Sequence, residues 1–255
     1  MTHSRTGADA GDLSVRFVLF LCLGLYAIYI AAALLVPHEL LWQGPARHPV
    51  TGEPNWEFGL AETTQNIFLA IALVMSATML ARSKSTPYRI WMGVVFLGVL
   101  YLLGEETSWG QHYFRWGVGG WFAENNDQLE TNLHNTSHLF DQLPRNVLYL
   151  GMVAGGIVHP LLKLARKGRG LIDNPWWWAP TLASLPPVVF AFIAGAPKSI
   201  DKTLTRLGVE TWVEGFRLET SVGRASEMEE CFMYFFFVIY LWSLMRRLKA
   251  RAAAG

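Results

Sequence analysis

Val15–Val36 reads VRFVLFLCLGLYAIYIAAALLV, an apolar run whose single charge, Arg16, stands at its start and which Pro37 closes. As a helix rising about 1.5 Å per residue, such a run crosses an approximately 30 Å hydrocarbon core. The stretch before it is mostly polar and no convincing cleavage site follows, so the run reads as a retained first helix rather than a signal peptide. Five further candidates follow: 60–81, 88–109, 147–165, 176–196 and 228–248. The third is apolar over Tyr88–Gly104 and is expected to continue helically through Trp109. The fold class is therefore all-α, a six-transmembrane helix bundle forming a single integral membrane domain over 1–255. No internal repeat is evident.

Composition agrees. Apolar residues make up 52% of the chain and charged residues 16%, against a usual charged fraction of about 25%. A net charge of +1 gives no sign of a nucleic-acid partner. Cys22 and Cys231 fall at different expected depths, which predicts two reduced, buried thiols.

Orientation follows from Lys and Arg. With both termini cytoplasmic, 13 of the 21 bases, from Arg5 to Arg251, lie on short inner loops and tails, as the positive-inside rule requires. Trp42 and Trp176-Trp177-Trp178 then fall at interfaces. Of the 20 acids only Asp9, Asp12 and Asp173 lie inside. The long outer loops 37–59, 105–146 and 197–227 hold aromatics such as Trp121, Phe140 and Trp212, and are expected to be ordered over the bundle.

The chemistry is expected among those outer acids. Glu105 and Glu106 end an apolar run, where carboxylates are costly. If the helix runs on, Glu105, Ser108 and His112 share one face. The macrodipole disfavours acids at a helix C-terminus, so helix stability does not explain the pair; a solvated loop just beyond the lipid is the plain alternative. In Glu130-Thr131-Asn132-Leu133-His134-Asn135-Thr136-Ser137-His138, a helix would align Glu130, His134 and His138 as metal ligands. A capped surface helix is the rival account. Glu62 and Glu230, at the outer ends of their helices, and Gln111 are supporting candidates. Ser226 and Glu229 read as a capping box. His38 and His48 read as exposed, with a ligand role left open for either, and His159 as a hydrogen-bonded histidine in a kinked helix.

Two chemistries fit this set. The first is an outward-facing, membrane-embedded, metal-dependent hydrolase acting on a lipid or membrane peptide. Glu105 or Glu106 would be its base and Ser108 a third catalytic candidate. His112, Glu130, His134 and His138 would hold Zn, Mn or Fe. The second is a non-enzymatic membrane subunit or a cation-handling transporter. Transport favours acids at mid-bilayer, whereas these crowd one end.

The strings Gly104-Glu105-Glu106-Thr107-Ser108-Trp109-Gly110-Gln111 and Glu130-Thr131-Asn132-Leu133-His134-Asn135 resemble a family of uncharacterised bacterial multi-pass membrane proteins. The resemblance covers roughly Glu57 to Asn135. It implies a bacterial cytoplasmic membrane and this topology, and brings no activity. A more distant likeness is to CAAX-type membrane proteases, whose paired Glu-Glu precedes an Arg; here Gly110 stands in that place.

Overall fold

A computed structural model describes residues 11–37, 41, 42, 44–171, 178–209, 212, 213, 216, 217 and 225–254. Helix α1 is Val15–Leu35, α2 Leu60–Ala81 and α3 Thr86–Glu106. Two short helices follow, α4 (Gln111–Phe114) and α5 (Trp121–Asn125). Helix α6 (His138–Met152) passes through a π turn, Val153–Val158, into α7 (His159–Ala165). A 3-10 turn at Leu182–Ser184 opens α8 (Leu185–Arg206), and α9 is Ala225–Ala254. One small ribbon pairs β1 (Trp212–Val213) with β2 (Phe216–Arg217).

Six helices are long and apolar enough to cross a membrane, which fits a multi-pass membrane protein. Their apolar side chains face outward as readily as inward: Phe20, Ile28, Leu34, Val74 and Leu150 are all at least two-thirds exposed. Water would penalise that surface and lipid does not. Helix α9 is the central column. Two-thirds of its apolar window is buried (67%), against 17% for α1 and for the α6–α7 span. It packs on α2 and α8, with α3 beyond α2 and α1 beside α8. Small residues on α8 (Ala191, Ala194, Gly195) let it approach α9 closely.

Several boundaries differ from the sequence reading. Helix α3 stops at Glu106 and does not continue through Trp109. Ser108 (φ 47°), Trp109 (φ 53°) and Gly110 (φ 99°) are all left-handed, which no α-helix tolerates. The fourth span opens at His138 rather than 147, and the fifth covers 182–206 rather than 176–196. Segment 130–137 is turns and irregular backbone, so the Glu130–His134–His138 stripe does not exist. Glu229 turns to Arg145 and Tyr149 rather than back to Ser226, so it closes no capping box. Trp42 is buried against Tyr29. Trp176, Trp177 and His38 lie outside the described residues. Cys22 and Cys231 are free and buried, and His159 accepts a hydrogen bond from Leu171 N–H.

The end of the bundle that holds Gly11 and Arg247 is tied by polar bonds. Ser243 donates to Asp12, Arg247 to Ala179 O at 3.1 Å and Arg246 to Gly11 O at 3.0 Å. Trp91 Nε1 donates to the Tyr240 hydroxyl at 2.7 Å, and that hydroxyl donates to Trp178 O.

Candidate functional site

The opposite end is built from a reversal. Where α3 ends, the three left-handed residues turn the chain into α4, with Trp109 folded back over Gly104. Gly104 permits this: a Cβ there would stand 2.8 Å from the Trp109 ring. The indole lies over Gly104 and donates from Nε1 to Glu105 Oε1 at 2.9 Å. Glu105 Oε2 accepts Leu133 N–H (2.7 Å) and His134 N–H (2.9 Å), with His134 Nδ1 at 3.5 Å. Both oxygens of Glu105 are thus occupied in pinning loop 130–134 to α3. Buried Gln111 does the same for the other side of the loop. It donates to Leu129 O (3.1 Å) and accepts Thr131 N–H (2.7 Å).

Beneath this loop sits Glu130. Its Oε2 accepts from Ser108 Oγ (3.1 Å), Asn132 Nδ2 (2.7 Å) and Asn135 Nδ2 (2.9 Å). Its Oε1 lies 3.2 Å from His112 Nε2 and 3.7 Å from His48 Nε2. Burial pushes the Glu130 carboxyl up, but His112, Ser108 and Asn132 outweigh it and hold the group below its ordinary value. Ser108 is fully buried, and its hydroxyl also receives Asn132 Nδ2 and contacts His112 Nε2 at 3.0 Å.

His48 comes from a hairpin that bridges Arg47 and Pro54. It is buried, not exposed as its loop position suggested. His48, His112 and Glu130 present ligand atoms within 4.8 Å of one another, close enough that the group could hold a metal ion. The hydrogen bonds set the terms. Asn55 Oδ1 accepts Glu57 N–H, so its Nδ2 must be the atom that donates to His112 Nδ1 at 3.0 Å. His48 Nδ1 accepts Thr51 N–H at 3.1 Å and Val50 N–H at 3.4 Å. A ring whose Nδ1 accepts carries its proton on Nε2. Metal-ligating imidazoles show the reverse, an N–H donated to an outer acceptor. The His112 Nε2 proton faces Glu130 Oε1 at 3.2 Å, while His48 Nε2 stands 3.7 Å off, so the group as folded is a carboxylate held by one imidazole N–H donor.

Around it opens a chamber of about 770 Å³. The hairpin contributes Glu53 and Glu57, α2 contributes Glu62, and α3 Glu105 and Glu106. Glu130 comes from the loop, Asp141 from α6, and Glu227 and Glu230 from α9. Nine carboxyl groups thus meet one guanidinium, Arg145, which is paired at 2.9 Å with both Glu229 and Glu230. The Glu62 and Glu227 side chains hydrogen-bond each other. Gln65 Nε2 also donates to Glu227. Tyr234 donates to Glu106. Burial, then the charges of Glu130 and Glu106, push the Glu57 carboxyl well above its ordinary value. Burial lowers His48. Burial also works against a charged His134, but Glu105 and Glu106 more than compensate and raise it.

Of the residues singled out in the sequence, Glu62, Glu105, Glu106, Glu130, His134 and Glu230 line this chamber. Ser108, Gln111 and His112 are buried directly behind it. The expected four-ligand set does not assemble: His134 goes to Glu105, and His138 is exposed at the start of α6. Sequence reasoning missed His48, Asn55, Glu57 and Glu227 as site residues. The turn signal Pro49-Val50-Thr51-Gly52 would have marked the hairpin, but nothing local shows that it folds inward. Comparison of the chain with protein-family models, with curated proteins and with solved structures returned no match.

Proposed function

We propose that the protein is a membrane-embedded hydrolase working in the acid-lined chamber. In this reading both termini and the Lys/Arg-rich connections face the cytoplasm of a bacterial cell and the chamber faces outward. The observation that carries it is a pair of carboxyls lining one cavity with opposite tendencies: burial and neighbouring charge push Glu57 well above its ordinary value, and hydrogen-bond donors hold Glu130 below its own. Titratable groups whose surroundings drive them apart supply an acid and a fixed anion at the same pH.

Glu57 serves as general acid, giving its proton to the leaving oxygen or nitrogen of an ester or amide. Glu106, held by Tyr234, takes the proton of the attacking water. Glu105 and Ser108 position the loop and the imidazoles, because their polar atoms are already engaged. Glu62 and Glu230 line the chamber beside these groups. Acid–base chemistry on carboxyls suits the hydrogen bonds better than a resident Zn, Mn or Fe ion. Such an ion would displace both Nε2 protons onto nitrogens that face N–H donors.

Purified protein in maltoside micelles, assayed on a panel of long-chain esters and amides, tests the reading. Turnover that vanishes in E57Q and E106Q while the fold persists is expected. No turnover on any member, or full turnover in both variants, overturns it. Metal analysis of the same sample is expected to find less than one ion per chain. A full equivalent lost in H112A would restore the metal centre.

A further inference from the structure

The chamber wall is not uniformly polar. Tyr101 and Leu102 of α3 and Phe140, Pro144 and Leu148 of α6 form an apolar stretch of it. Both helices belong to membrane-crossing spans. Phe140 stays 41% exposed while lining the space, and Leu143 and Val147 beside it are more than half exposed. The N-terminal half of α6 meets α9 through the Arg145 and Tyr149 side chains, and its only buried residue is Met152 near its far end. A cavity of this size takes a ligand of lipid-headgroup or drug dimensions.

Charge narrows the class. Carboxyls packed together need protons, pairing cations or a cationic ligand, and the guanidinium in the wall is already committed to Glu229 and Glu230. One buried polar atom also points to a ligand. His48 is 8% exposed and lines the chamber, and its Nε2 has no hydrogen-bond partner among the described residues. Because Nδ1 accepts from the backbone, Nε2 is a donor, and Glu130 Oε1 at 3.7 Å is beyond its reach. The vacancy calls for an oxygen acceptor.

We propose that the chamber binds an amphiphile whose head carries an amine or quaternary ammonium group next to an oxygen acceptor, its alkyl chain passing between α3 and α6. The cation sits among Glu62, Glu106, Glu227 and Glu230, the acceptor meets His48 Nε2–H, and the chain lies along Leu102 and Leu148. The inference rests on the chamber being the working site, and it is independent of hydrolysis.

Lauroylcholine, which has all three features, is the probe. Its binding to the full chain in neutral maltoside micelles is compared with that of acetylcholine, which lacks the chain, and of monolaurin, which lacks the charge. Lauroylcholine should bind at least about tenfold more tightly than either, as a desolvated charge contact allows. The double variant E106Q/E227Q should lose about tenfold of that affinity, H48F less, and L148W should weaken lauroylcholine but not acetylcholine. Thermal unfolding in the same micelles identifies any variant that fails to fold, and E62Q then replaces the double variant. Equal binding of monolaurin, or affinity untouched by the Glu substitutions, overturns the cationic head. Insensitivity to L148W overturns the chain path. Selective binding without cleavage keeps this inference and removes the hydrolase; cleavage of monolaurin without binding of the cation does the reverse.

Discussion

The two ends of the bundle bury polar groups on opposite terms. At the end that holds Gly11 and Arg247, the Arg247, Ser243 and Tyr240 side chains donate to backbone carbonyls or to the Asp12 side chain. Such contacts tie helix ends together. At the other end nine carboxyls surround about 770 Å³ with one guanidinium in the wall. Burying charge without equal counter-charge is expensive, and stability gives no reason to do it. The difference teaches that polar burial alone does not mark a site; polar burial left over after pairing does.

The sharpest way to break the contrast is to unpair the best-satisfied anion of the acidic end. E130A leaves Ser108, Asn132 and Asn135 without their acceptor. Loss of one partner from a buried charged network costs about 3–5 kcal/mol, so the melting temperature in micelles should fall steeply, with E130Q falling less. An unchanged melt would mean that loop 126–135 does not depend on Glu130. Next comes α8. A Cβ at Gly195 would lie 2.3 Å from Glu229 Oε1, so G195A must push Glu229 off Arg145, at about 1–3 kcal/mol. G98A is its control: nothing lies within 4 Å of that Cβ, and the change should stabilise by about 0.5–1 kcal/mol through helix propensity. Equal melts for the two alanine variants would contradict the close approach of α8 to α9.

Much of this was legible in the sequence, and its failures are specific. Six apolar runs announce six helices because no shorter or more polar element can cross lipid. Gly104-Glu105-Glu106 marked the chamber floor, since an acid ending an apolar run is costly without purpose. The reading failed where non-local geometry overrides local periodicity. Ser108 and Trp109 carry no glycine-like signal, yet both adopt positive φ because Trp109 must fold back onto Gly104 and Glu105. With that break the helical stripe through His112 dissolves. Glu130 and His112 still meet, by the turn rather than by the helix. His48 was hard to see for a different reason: an imidazole in a polar hairpin looks solvated until the hairpin is packed against His112 and Glu130. The span limit at 147 was misjudged because that helix end is polar and apolar run length undercounts such turns, and the limit at 176 because apolar residues such as Trp178 and Ala179 precede the helix rather than belong to it.

A smaller effect sharpens the other end. Ser243 is fully buried between Asp12 and Thr181. S243A removes one hydrogen-bonded tie and should cost about 0.5–1.5 kcal/mol. Binding of any chamber ligand should be unaffected, because that end is scaffold. A shift in ligand affinity comparable to that of E106Q/E227Q would couple the two ends and dissolve the comparison.

The gentlest test is pH, and it separates two groups that lie on one loop. His134 is raised above its ordinary value of 6.5 in the fold by Glu105 and Glu106, after burial has worked against it. The stability it contributes is therefore full below pH 6.5 and declines as pH rises through the elevated native value. Glu130 is depressed below 4.5, so its contribution is full above pH 4.5 and is lost as pH falls through the lowered native value. The melting temperature should pass through a plateau bounded by both. About a third of the His134 side chain is exposed, so water screens its pairing and the alkaline slope should be shallow. H134N should flatten that slope and leave the acid limb in place, because the acid limb belongs to Glu130. An alkaline slope that survives H134N would place the titration elsewhere in the chamber, with Glu57 the first residue to examine, since its raised carboxyl also loses stability as pH rises.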